Sequence, residues 1–255
     1  VSFGSTRKLN IKVQDDPQVK ALVDAGTEYV CIVGKSSNLH ITKAIETDVE
    51  EAIKMATDTI EYLKSNGKKV FFDAEHFFDG YKENSEVSYR ILDAVINEGV
   101  DCFIFCDTNG GTLPHEVTEI LGEITKKYDK QKFGVHFQND NGCAVPNSMA
   151  AVNLGVDHVQ GTMNGYGERT GNADLCTLLP NLTLKMEHDT VPLESLEKLT
   201  PIANHIAELV NVAIDSRHPY VGSSAFTHKA GLHASGMAKD SSLYEHIDSS
   251  KVGNF

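Results

Sequence analysis

The chain has 255 residues, 40% hydrophobic and 23% charged, an ordinary globular composition with room for one large core or two modest ones. Its formal net charge of −13 excludes the basic face that a nucleic-acid partner needs for counterion release, while leaving small anionic substrates open to a few local cations or a metal. No stretch approaches the roughly 18 apolar residues of a membrane span, no secretory leader is legible, and five cysteines without a CxxC pair (Cys31, Cys102, Cys106, Cys143, Cys176) read as reduced thiols of a cytoplasmic protein.

In chain order, VSFGSTRK reads as the end of a strand. Further strands are expected at YVCIVGK (29–35), KVFFDAE (69–75), DCFIFCDT (101–108), KFGVHFQ (132–138) and DHVQGT (157–162). These runs are rich in Val, Ile and Phe, as strands covered on both faces are. Helical patterns lie between them. Segment 47–66 carries Val49, Ile53, Ala56, Ile60 and Leu63 on one stripe, with Thr47 and Glu50 placed as a capping box and Gly67 as the stop. Segments 84–98, 113–127 (with Pro114 near its start) and 144–154 (stopped by Gly155) follow the same logic. Strand and helix alternating every 30 to 40 residues, roughly, predict βα units and a parallel sheet. Six strands are countable, and a closed barrel needs eight. The sheet is therefore either open and doubly wound, or a barrel with two strands upstream of Val1. Helical sequence follows from about 173, and residues 190–255 break the rhythm, as a smaller separate region would.

Nearly every strand ends in polar groups: Ser5-Thr6-Arg7, Lys35 with His40 beyond it, Asp73-Glu75-His76, Asp107-Thr108-Asn109, His136-Gln138-Asn139-Asp140, and Asn164 to Asn172. Ligand sites of parallel α/β folds lie at such carboxyl ends. At one strand end these residues also serve as helix caps; six together point to a site. His136 and Gln138 are two apart on a strand and share a face, as a metal clamp or as a hydrogen-bonded pair. NGYGERTGN (164–172) has the glycines of a loop whose backbone approaches a ligand, without the spacing of a dinucleotide fingerprint. In it, Glu168 and Arg169 either pair with each other or take a catalytic role. HPYVGSSAFTHKAGLHASG (218–236) is dense in His and small residues and lacks a helix-borne HExxH zinc motif.

FGSTRK, IVGKSSNLH, FDAEHFFDGY, CDTNGGTLPHE, GVHFQND, NGYGERTGNADLCTLLPNL and HPYVGSSAFTHKAGLH together resemble the citramalate, isopropylmalate and homocitrate synthases, the acyl-CoA-condensing TIM-barrel metalloenzymes, and most of all the citramalate type. The resemblance covers essentially the whole chain. It implies a TIM (β/α)8 barrel, here lacking about its first two strands, over residues 1–189, and a truncated, small, mainly helical linker subdomain over 190–255. It implies a Claisen condensation of acetyl-CoA with a 2-keto acid, pyruvate for citramalate, in isoleucine or leucine biosynthesis. A divalent ion (Mg²⁺, Mn²⁺ or Zn²⁺) would polarise the keto acid. Carried over by motif, the metal ligands are His136, Asn172 and position 138, where the family has a second histidine and this chain has Gln138. Glu75, His233 and Tyr244 take catalytic places. His40, Thr108 and Glu168 line the substrate pocket, and a homodimer is implied because the His and Tyr act on the partner protomer's site. The family's first-strand Asp-x-Arg motif is not found, so the chain is expected to be a fragment, inactive alone. Gln138 supplies a neutral oxygen that suits Mg²⁺ or Mn²⁺ better than Zn²⁺. Isopropylmalate or homocitrate synthesis is the alternative within the family. A non-catalytic acyl-CoA-binding subunit is the alternative outside it.

Overall fold

The structure, a computed structural model, describes residues 1–254. Contacts divide them into two compact units, Val1–Gln160 and the residues from Gly161 on. Six parallel strands form one sheet in chain order in the first unit: β1 (Ser2–Ser5), β2 (Tyr29–Lys35), β3 (Lys69–Glu75), β4 (Cys102–Asp107), β5 (Phe133–Phe137) and β6 (His158–Gln160). Each expected strand is present, with β2 and β3 at the expected limits. β1 and β6 are the edges of the sheet.

The register explains what each face carries. Val33 pairs with Asp73, Asp73 with Ile104, Ile104 with Gly134, and Gly134 with His158. One step along, Cys106 pairs with His136 and His136 with Gln160. Because side chains alternate, these residues share one face with Cys31, Phe71 and Cys102. The opposite face carries Val30, Ile32, Phe72, Phe103, Phe105 and Phe137, all buried. Helices cover that side, as crossover connections of parallel strands require. Their buried residues include Ile60 and Leu63 of Val49–Ser65, Leu92 and Val95 of Phe77–Asn97, and Val117 and Leu121 of Pro114–Lys127.

Local chemistry shifts several boundaries. The helix Val49–Ser65 is capped by Asp48, whose carboxylate accepts from Glu51 N at 2.8 Å, so Thr47 is not its cap. The pattern expected from residue 84 is the second half of Phe77–Asn97. That helix breaks at Asn84 (φ −159°, ψ 94°), where the Asn84 side chain accepts from Glu86 N at 3.2 Å. A helix at Pro17–Asp24, short and weakly patterned, was not expected; Asp16 caps it through Gln18 N and Val19 N. Arg7, 5% exposed, is held by Glu51 at 2.9 Å and Asp58 at 2.8 Å, which ties the end of β1 to the helix Val49–Ser65.

The second unit packs Cys176, Leu196, Leu199, Ala203, Tyr220, Val221 and Val252 into its own core. Its elements are helical, chiefly Leu175–Pro180, Leu199–Val210 and Gly231–Met237. Among the described residues, no helix is long and apolar enough to cross a membrane.

Candidate active site

The strand ends of the first unit gather two linked groups of side chains. In one, Glu75 forms an ion pair with Lys35, its register partner across β2 and β3. The next residue, His76, turns the chain with φ 61° and donates its backbone N–H to Thr108 Oγ1 at 2.8 Å. Its ring stacks on His40 with centroids 3.5 Å apart and planes 10° apart. The His40 Nδ1 lies 3.1 Å from Ser37 Oγ. Burial, then the neighbouring His76 and the Lys35 ammonium, hold the His40 imidazole below the usual histidine pKa. Glu75, His40 and Thr108, expected on one cavity wall, are thus joined through His76. Lys35, the cation paired with Glu75, carried no separate signal in the sequence beyond its place at a strand end.

The second group surrounds His136. Its Nδ1 is 2.7 Å from Gln160 Oε1; Gln160 Nε2 donates to Asp73 Oδ1 at 3.0 Å, and Cys31 Sγ donates to the same oxygen at 3.2 Å. Asp73 is 6% exposed, and burial raises its pKa above the ordinary carboxylate value. His136 therefore does have a glutamine partner, but it is Gln160 and not Gln138. The Gln138 Oε1 is buried and accepts no hydrogen bond. Asn139 Oδ1 accepts from Ala144 N at 3.2 Å, as a helix-entry residue does. Gln160 was missed because its partners lie 24 and 87 positions away. The available signal was an aspartate between Phe72 and Ala74, inside the apolar run of β3.

In the second unit the glycine loop holds Asn172 by contacts that only glycine permits. A Cβ at Gly167 would strike the Asn172 amide, and one at Gly171 (φ 90°) would strike Gly165 O. Asn172 N donates to Gly165 O at 3.1 Å and its Nδ2 donates to Tyr166 O at 3.0 Å. Its Oδ1 is buried with no partner. Glu168 is 88% exposed, with Arg169 Nη1 at 4.0 Å. The His233 ring stacks on Tyr244 at 4.2 Å, and His228 lies 5.7 Å from His233 and 3.9 Å (Nε2) from Glu245 Oε1.

A buried carbonyl oxygen without a donor costs free energy unless something else satisfies it. Gln138 and Asn172 each hold such an oxygen, and both were expected as ligands. Within the first unit, the neutral Gln138 oxygen and the His136 imidazole are donors that a hard divalent cation accepts. Among the described residues no group of three or more His, Cys, Asp or Glu is arranged to hold a metal. The expected set contains only one residue of those types.

The chain is 50% identical over 253 residues to the (R)-citramalate synthase of Aquifex aeolicus (99% of this chain, 48% of that protein). It is 43% identical to that of Sulfolobus acidocaldarius (99% and 48%) and 33% identical to a probable 2-isopropylmalate synthase of Archaeoglobus fulgidus (89% and 44%). It thus spans about half the length of the curated relatives it matches. Among solved structures, the Bacillus subtilis HMG-CoA lyase superposes with TM-score 0.70 at 20% identity, covering 85% of this chain and 73% of that one. The carboxyl transferase domain of Rhizobium etli pyruvate carboxylase superposes with TM-score 0.58 at 13% identity (76% and 30%), and both likenesses concern the fold alone. Residues 220–255 match the homocitrate synthase post-HMGL domain-like family and residues 8–205 the HMGL-like family. The six-stranded parallel sheet and the span of that last match lead to one conclusion: the chain belongs to the HMGL-like family.

Proposed function

We propose that the protein condenses acetyl-CoA with a 2-keto acid, pyruvate, to give citramalate, with this chain supplying part of the catalytic barrel and of the region that follows it. The observation that carries the reading is the unpartnered, buried Gln138 Oε1 two residues from His136 at the end of β5. The 42–50% identity to (R)-citramalate synthases supports the choice of keto acid. His136 and Gln138 would hold a divalent ion at the end of β5, and the resemblance gives Asn172 a ligand's place as well. When bound, the ion polarises the keto and carboxylate oxygens of the acceptor. Glu75 removes a proton from the acetyl methyl group, and Lys35 keeps the carboxylate in place. The methyl carbon then bonds to the keto carbon as the C=O π pair moves onto oxygen, which takes up a proton to become the hydroxyl. Water adds its OH to the acyl carbon and the C–S bond breaks, CoA leaving as the thiol with the water's other proton. Thr108, His40 and Glu168 contact the substrates. His233 and Tyr244 act on the site of a second protomer in a homodimer.

CoA release measured with pyruvate, 2-ketoisovalerate and 2-ketoglutarate tests this on a protein of the relatives' full length. Pyruvate is expected to be preferred; preference for 2-ketoisovalerate transfers the reading to isopropylmalate synthesis. Gln138→His is expected to tighten Zn²⁺ binding by about 10-fold or more, since imidazole is the better ligand for that ion. The second reading, a non-catalytic acyl-CoA-binding subunit, is favoured by the same Gln138. Absence of Mn²⁺ binding and of CoA release in the full-length protein would establish it.

A further inference from the structure

We propose that Gln160 and Asp73 are positioning residues that lock His136 as its Nδ1–H tautomer and so aim a free Nε2 lone pair at a divalent cation. The inference rests on the reading of His136 as a ligand and adds what prepares it for that role.

The logic is a chain of donors and acceptors with one free choice. Asp73 Oδ1 accepts from Cys31 Sγ at 3.2 Å and from Gln160 Nε2 at 3.0 Å. Asp73 Oδ1 already takes the Cys31 thiol proton, so this oxygen is an acceptor and the Gln160 amide turns its NH₂ toward it. Its oxygen then faces His136 Nδ1 at 2.7 Å. An amide oxygen only accepts, so Nδ1 must carry the ring proton and a neutral ring keeps its lone pair on Nε2. Flipping the amide would press its oxygen against the Asp73 carboxylate. Metal-bound histidines are commonly oriented by a carboxylate or carbonyl on the other ring nitrogen. Here the carboxylate acts through an intervening amide. The geometry is built into the sheet: His136 and Gln160 are register partners on β5 and β6, and Asp73 shares their face.

The test uses the 255-residue chain labelled with ¹⁵N-histidine, observed by long-range ¹H–¹⁵N correlation at pH 8 without metal, with the His136 signals assigned by their loss in His136→Asn. His136 is expected to show the Nδ1–H pattern. Gln160→Leu removes the acceptor, and a large share of the ring should move to the Nε2–H form that free imidazole prefers. Gln160→Glu restores an acceptor and should restore Nδ1–H. Asp73→Asn frees the amide to flip and should give a mixture, which covers the case in which Gln160→Leu fails to fold. In Mn²⁺ titrations followed by electron paramagnetic resonance, Gln160→Leu should weaken binding about 10–100-fold, with recovery in Gln160→Glu. An Nε2–H ring in the wild-type protein, or a tautomer unmoved by Gln160→Leu or Asp73→Asn, overturns the proposal. Mn²⁺ affinity unmoved by His136→Asn would instead sink the ligand reading, with the metal-free spectra still deciding the lock.

Discussion

The two faces of the sheet in the first unit are built from alternate residues of the same strands, yet they obey different rules. Phe105 and Cys106 are neighbours on β4. Phe105 is fully buried among Phe77, Phe103 and Phe133, with ring centroids 4.7 to 5.1 Å away. Cys106 faces the other way, beside Cys31, Asp73 and His136. The helix-covered face is bound by volume, because close-packed aromatic rings cannot rearrange to fill a gap. The other face joins a small apolar cluster (Cys31, Cys102, Ile104 and Cys106, with Phe71 against it) to polar side chains that are bound by direction, because their donors and acceptors must match.

Substitutions can break this contrast. The largest effect is expected from Phe105→Ala, which should cost about 3–5 kcal/mol in guanidinium unfolding, while Cys106→Ala next to it should cost only about 1 kcal/mol. Equal losses would mean that the polar face is packed as tightly as the apolar one. Next comes Gly134→Ala. A Cβ there would stand 2.8 Å from Ile104 Cγ1 and 3.1 Å from His158 Cδ2, and overpacking of this kind costs about 1–3 kcal/mol by the same measurement. A neutral result would show that both the Ile104 side chain and the His158 ring are free to move aside.

The smallest effect is a pH dependence. Burial holds the His158 pKa below the usual histidine value, the nearby Asp73 opposing it. The unfolded chain therefore takes up a proton at His158 before the folded one does. That contribution is fully present above the unfolded pKa of about 6.5 and is lost as pH falls through the lower folded value. Asp73, with its raised pKa, has the opposite sign: its contribution is present below about 3.8 and is lost as pH rises. Comparing wild type with His158→Phe isolates the histidine. Between pH 7 and 5.5 the wild type should lose up to about 1 kcal/mol more than the variant. Identical slopes would show that His158 is not held neutral.

What was legible in the sequence follows from the same contrast. Apolar runs and glycine stops mark the strands well, because burial on both faces leaves a continuous signal. β2 and β3 match their runs residue for residue. Caps were less legible, since Thr47 and Asp48 are both competent and only the backbone path selects Asp48. His40, Glu75 and Thr108 were singled out by motif, and the fold joins them through His76. Asp73 and Gln160 were not assigned roles. Their pairing depends on strand register, which no local pattern reports.

The glycine loop shows a constraint of another kind. Gly167 and Gly171 make no side-chain contacts, yet a methyl group at either would collide with Asn172 or with the carbonyl of Gly165. Their function is to leave space unfilled, so that the Asn172 amide lies against the backbone with its nitrogen bonded and its oxygen unsaturated. An amide oxygen held out of water without a hydrogen bond keeps its full accepting power. That power is set by two residues whose only contribution is the side chain they lack.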